Sequence, residues 1–187
     1  MRWNEFGTPQ SLINYEGFLS ARLDGDGENV ARTWLRDNAA LFQLTPAAVN
    51  DLTLVRSTPL GDGRAVLLTQ RIDGLPVAGG GLVSLAIVDG RVAYVSSSIV
   101  GDRGAVASPS VTAERAVRAA AADVGRRVAA DQITRQGTVR GWERLAVDGF
   151  THPASARQVA LPLPQGGVVP AYETFILDNS APSRSRM

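Results

Sequence analysis

The spacing of apolar residues switches from helical to alternating at Leu52, and the same order, helix first and strands after, starts again at Thr112. A chain patterned this way must bury an amphipathic helix against the apolar face of an antiparallel sheet, twice, which is an α+β architecture. In the first block Val30, Trp34, Leu35, Asn38, Leu41 and Phe42 recur at helical spacing, with Arg32, Arg36 and Asp37 on the other side. That pattern predicts an amphipathic helix of about four turns. Asp24-Gly25-Asp26-Gly27 precedes it as a capping turn, and Thr45-Pro46 opens a second short helical turn through Val49.

Four segments then alternate and are bounded by glycine or Asp-Gly: Leu52 to Arg56, Ala65 to Ile72, Leu82 to Val88 and Val92 to Ile99. They predict an antiparallel meander. Asp89-Gly90 favours a two-residue type I′ turn, whose register sets Ile87 opposite Val92 and Leu85 opposite Tyr94. Val83, Leu85, Ile87, Val92 and Tyr94 are then expected on one face, under the helix. Ahead of all this, residues 1–23 mix Trp3, Phe6, Leu12, Ile13, Tyr15, Phe18 and Leu19 with Gly7, Pro9 and Gly17, and read as extended chain carrying buried anchors.

Gly101 to Ser110 is a polar, proline-containing linker. Thr112 caps a second helix over Ala113 to Val124, with Glu114 in the first turn and Val117, Ala120, Ala121 and Val124 as its apolar stripe. Strands are expected over Val139 to Val147, Arg157 to Leu163 and Val168 to Leu177, the last two joined by Gln165-Gly166-Gly167. Pro162, Pro164 and Pro170 cannot donate ladder hydrogen bonds and belong at strand ends, edges or bulges. The expected organisation is an extended segment over 1–23, a first module over 24–102, a second over 111–178 that lacks its final strands, and a disordered tail over 179–187.

Composition and motifs exclude more than they assign. With 19 basic and 18 acidic side chains the net charge is +1, so no cationic field invites nucleic acid. The absence of cysteine removes disulfides, thiolate zinc sites and cysteine nucleophiles together. No apolar run approaches the ~18 residues a spanning helix needs, and Met1-Arg2-Trp3-Asn4-Glu5 lacks the apolar core of a signal peptide. No membrane partner is expected, and the chain is expected to be a monomer.

The single histidine, His152, stands beside Pro153 and reads as a solvated loop residue; one imidazole cannot build an H-E-x-x-H zinc site, and no G-x-S-x-G presents a serine. Asp24, Asp26 and Glu28 alternate like the opening of a calcium loop, but Leu35 stands where the bidentate glutamate is required. The glycines at 61, 63 and 79–81 read as turns or bulges, and Arg115, Arg118, Arg126 and Arg127 as a solvated face. No catalytic, metal or cofactor residue is expected.

Trp3-Asn4-Glu5-Phe6-Gly7-Thr8-Pro9 with Ser11-Leu12-Ile13, Ala31-Arg32-Thr33-Trp34-Leu35 through Asn38-Ala39-Ala40-Leu41-Phe42, and Gln70-Arg71-Ile72-Asp73-Gly74-Leu75-Pro76-Val77 resemble the fungalysin/thermolysin propeptide family. The similarity is nearest to actinobacterial fungalysin-type precursors, which Gly90-Arg91-Val92-Ala93-Tyr94-Val95-Ser96-Ser97-Ser98 also fits. Residues 112–178, with Val159-Ala160-Leu161-Pro162 and Pro170-Ala171-Tyr172-Glu173, resemble the PepSY-type module that follows in them. The resemblance implies two cystatin-like modules, the second incomplete. It further implies a non-catalytic role: holding a zinc metalloprotease domain inactive and assisting its folding before proteolytic removal, with an extracellular destination for the parent precursor. Its alternative is a stand-alone protease inhibitor or an envelope-associated PepSY-type binding module. The missing secretion signal, the missing H-E-x-x-H domain and the loss of pattern near Ala181 lead us to expect a gene fragment. No partner-contacting residue is assigned; the turn at Gly74-Leu75-Pro76-Val77 is weighed as a protease contact and, with more weight, as a structural turn between strands.

Overall fold

The computed structural model describes residues 1–104 and 111–177. They fall into two compact units, 1–104 with 160–169 and 111–159 with 170–177. The linker beyond residue 104 and the tail over 179–187 lie outside the described residues.

In the first unit β1 (Arg2–Trp3) and β2 (Pro9–Ile13) precede α1 (Gly27–Asp37), a 3₁₀ turn (Ala39–Phe42) and α2 (Pro46–Asn50). Then come β3 (Thr53–Leu60), β4 (Gly63–Thr69), β5 (Arg71–Ile72), β6 (Leu75–Pro76), β7 (Leu82–Val88) and β8 (Arg91–Ser97). Six of these strands form one antiparallel sheet in the order β1-β2-β8-β7-β4-β3. The segment expected to be extended or irregular chain supplies two strands, with Pro9 at the first position of β2, where no ladder donor is needed. Of its expected anchors Leu12 is buried, Leu19 and Phe6 are half-buried against core clusters, and Trp3, Ile13 and Tyr15 are exposed.

Helix α1 starts where the Asp26 carboxylate accepts the Asn29 amide at 2.8 Å. It ends a turn earlier than expected. The Asn38 side-chain amide donates to the Trp34 carbonyl at 2.8 Å, and the chain tightens into the 3₁₀ turn that closes at Gln43 with φ 52°. Phe42 nevertheless reaches the core at 0% exposure and meets the Trp34 ring edge-on at 6.0 Å. With Val30, Ala31, Trp34 and Leu35 it packs on Val66, Leu68, Val83, Leu85, Ile87, Val92 and Val95.

Arg32, on the side away from the apolar stripe, pairs with Glu28 and donates to the Val49 and Leu52 carbonyls at 3.2 and 2.8 Å, satisfying the end of α2. One expectation is corrected here: Leu85 faces Val95 while Tyr94 faces Ala86, because Ala93 is an extra residue on β8. The turn itself is as expected, with φ 51° at Asp89 and 70° at Gly90, and Ile87 does face Val92. The bulge beyond it turns Tyr94 to the outer face and gives its core place to Val95.

In the second unit α3 (Ala113–Asp123) and a 3₁₀ turn (Ala130–Gln132) precede β9 (Ile133–Val139), β10 (Trp142–Val147), β11 (Ala154–Pro162) and β12 (Val168–Phe175). The sheet order is β12-β11-β10-β9. Thr112 caps α3 as expected, its hydroxyl accepting the Arg115 amide. The strand expected over Val139 to Val147 is a hairpin instead, turning at Arg140-Gly141 with φ 50° and 80°. Arginine at a left-handed position is not a turn signal, so the pattern reads as continuous. Its β9 arm carries one extra residue, Gln136, between Arg135, which faces Leu145, and Gly137, which faces Arg144. Pro162 ends β11, and Pro170 lies within β12, an edge strand. One face of this sheet, through Leu145, Val147, Ala154 and Ala156, packs on Ala113 and Val117 of α3.

Phe42→Ala should cost about 3–5 kcal/mol, read as an earlier urea transition at amides of the first unit. Gly90→Ala should cost about 1 kcal/mol or more, because φ is +70° there and a Cβ would stand 2.7 Å from the Leu23 carbonyl oxygen.

Candidate functional site

Titratable side chains are used to hold the fold. Asp26 caps α1 and Glu28 pairs with Arg32, so two of the three acids of the calcium-like run are committed to the helix start. His152 is exposed in a bend beside Pro153. Glu114, in the first turn of α3, is held down to about 2 from its ordinary 4.5. The Arg135 guanidinium that donates to it contributes most, followed by the amide at the helix start and the Thr112 hydroxyl, against an opposing effect of burial. Arg135 also reaches Glu143 at 3.3 Å. Glu114 is thus a fixed anion at neutral pH. Among the described residues no three of His, Cys, Asp and Glu come together as a metal-binding group.

The turn weighed as a contact is mostly committed inward. Asp73 and Gly74, at φ 49° and 76°, close the β5–β6 hairpin, while Ile72 and Val77 are buried with Val100 and Ala160. Val77 bridges Ala160, and the Ala78 amide donates to the Ala160 carbonyl at 2.8 Å. What the hairpin leaves exposed is Arg71, Asp73 and Gly74.

Three buried polar side chains converge on the exit from β8. Thr8 donates to the Ile99 carbonyl, Ser97 accepts the Ile99 amide at 3.0 Å, and Gln70 both accepts the Val100 amide at 3.1 Å and donates to the Gly101 carbonyl at 2.6 Å. Asn4 adds a donor to Ile99 at 3.0 Å and organises its own loop by accepting the Phe6 and Thr8 amides. The two sequence blocks beginning at Trp3 and Gln70 therefore meet on one stretch of backbone. Beside it lies a groove of about 310 Å³ lined by Glu5, Phe6, Gln10, Gly79, Ser98 and Leu161, among others.

The surfaces suited to a partner are the sheet faces that the helices leave open. In the first unit, register places Ile13, Tyr94, Ala86 and Ala65 in a row across four strands, with Leu82 along β7. Ile13, Tyr94 and Leu82 are 42%, 39% and 43% exposed, so this row is an apolar surface in water. In the second unit, Trp142, Arg144, Ser155 and Arg157 alternate with the residues buried under α3. They line or flank a hollow of about 420 Å³ that Val139, Arg140, Glu173 and Phe175 complete. Arg157 lies over the Trp142 ring at 4.4 Å and is fixed by Glu173 at 2.6 Å. Sequence reasoning missed this group. The alternation of Trp142, Arg144 and Ala146 with Glu143, Leu145 and Val147 was visible, but without the Arg140-Gly141 turn it had no face to belong to.

No family model and no curated protein matches the chain. Among solved structures, the C-terminal domain of YpeB from Bacillus megaterium is similar at 12% identity and a TM-score of 0.39, over 92% of this chain. This chain spans 63% of that one. Likeness of that degree carries neither residues nor roles across.

Glu114→Gln should destabilise the second unit slightly at neutral pH. Because the folded-state value is depressed, the native advantage is full above about pH 4.5 and disappears as pH falls towards about 2. Urea titrations of both proteins across that window, followed at α3 amides, should show the two curves converging at low pH; a gap that stays constant would mean the Glu114 charge contributes nothing.

Proposed function

We propose that this chain is a non-catalytic, propeptide-type binding region that docks on the catalytic domain of a fungalysin-like zinc metalloprotease, assists its folding and holds it inactive until proteolysis removes it. One observation carries this: in each unit helical elements, α1 with the 3₁₀ turn and α2 in the first and α3 in the second, cover one face of an antiparallel sheet and leave the other face open. Such a platform binds by surface complementarity and needs no titratable cluster. Support also comes from the sequence blocks that resemble the propeptide family, two of which converge on the Ile99–Gly101 backbone and so set the shape of the first unit. On this proposal the first unit corresponds to the propeptide module and the second to the PepSY-type module. The parent precursor acts outside the cell, and the chain is a monomer with neither nucleic acid nor membrane as partner.

Titration of the purified chain against an active fungalysin-type metalloprotease, followed by peptide hydrolysis, should give saturable inhibition at a stoichiometry near one, with slow cleavage of the chain. The separate chain should inhibit less strongly than it does when tethered, since the tether supplies a high effective concentration. Undiminished hydrolysis in the presence of a chain shown by near-ultraviolet circular dichroism to be folded would remove the proposal.

A further inference from the structure

We propose that the open face of the second unit's sheet is a docking site for an acidic protein segment, which seats an apolar side chain against Trp142 and Phe175 and its carboxylates on Arg140 and Arg144. This gives one open face a ligand chemistry of its own and does not depend on which protein supplies the segment.

Charge is the first ground. Three arginines, 140, 144 and 157, stand at the hollow with one acid, Glu173, which is committed to Arg157. Arg140 and Arg144 have no carboxylate partner among the described residues, and the Nε of Arg144 is buried with no hydrogen-bond acceptor. An arriving carboxylate gives these guanidinium groups the charged partner they lack, and arginine pairs with carboxylate through two parallel bonds. Shape is the second ground. Phe175 is 60% and Val139 55% exposed at the rim, so the hollow presents apolar surface beside the free guanidinium. Trp142 is held in place by the Arg157 stack, which lowers the ordering cost of binding. Tryptophan and arginine are the side chains that most often dominate protein interfaces. A nucleic acid would also satisfy the two arginines, but in a chain of net charge +1 two unpaired guanidinium groups offer few of the phosphate contacts that dominate nucleic-acid affinity, and the oligonucleotide arm of the test separates the two.

The test is a titration of the full isotope-labelled chain with a short synthetic peptide of Asp and Glu around a central Leu. Amide shifts should saturate at Trp142, Arg144 and Ser155, and the affinity should fall as salt rises. Arg144→Ala should weaken binding about fivefold or more, with Arg144→Gln as a second variant should the first not fold. Arg115→Ala removes the same charge from α3, away from the hollow, and should leave affinity within about twofold. The site is overturned if the peptide does not bind, if its Gln and Asn counterpart binds equally well, or if the shifts map elsewhere. It is likewise overturned if Arg115→Ala costs as much as Arg144→Ala, or if a single-stranded oligonucleotide takes the same amides more tightly. Metalloprotease inhibition by a chain that ignores the peptide would discard this docking site and leave the proposed function standing.

Discussion

Leu35 and Phe42 are removed from water only because β4, β7 and β8 present branched apolar side chains in register beneath α1. Each such side chain contributes roughly 1.5–3 kcal/mol when fully buried, so this one contact dominates the stability of the first unit. It also dictates what the opposite face looks like. Val66, Leu68, Val83 and Leu85 take the inner positions, and strand alternation sends Ala65, Leu67, Leu82, Ser84 and Ala86 outward. The face available to a partner is thus the by-product of the face that makes the core.

Around that contact, polar groups do the shaping. Backbone at Ile99–Gly101 leaves the ladder after β8 and is met by the neighbouring Ser97 and by Thr8, Gln70 and Asn4, which come from distant parts of the sequence. Buried amides and carbonyls without partners would cost about 1–3 kcal/mol each, so these side chains determine the path rather than decorate it. Arg32 does the same at the end of α2.

The α+β class, the three helix caps and the first unit's central strands were legible in the sequence because each has a local cause: an oxygen at an N-cap, a period of two, an Asp-Gly turn. What was not legible depends on neighbours far away in the chain. Strand β2 was not read as a sheet strand because among its residues only Pro9 and Leu12 are buried, and nothing nearby says that β8 will pair with it. The bulge at Ala93 moved Tyr94 outward although an unbroken alternation placed it inside. The hairpin at Arg140-Gly141 hid behind an arginine with positive φ, and with it went the Trp142 and Arg144 face, so the candidate docking residues were unreadable until the register was known.

The four outer strands of the two main sheets share a property that bears on how this chain meets other molecules. Strand β1 is only two residues long, β3 carries the extra residue Val55 and contains Pro59, β9 carries the extra residue Gln136, and β12 contains Pro170. Each is a device that stops a foreign strand from zipping along an unpaired ladder. Growth by lateral strand addition is therefore discouraged at every rim, and with it the route to fibrous self-association. Recognition is left to side chains standing on the sheets, where it can be selective, and not to backbone, which any extended chain could satisfy.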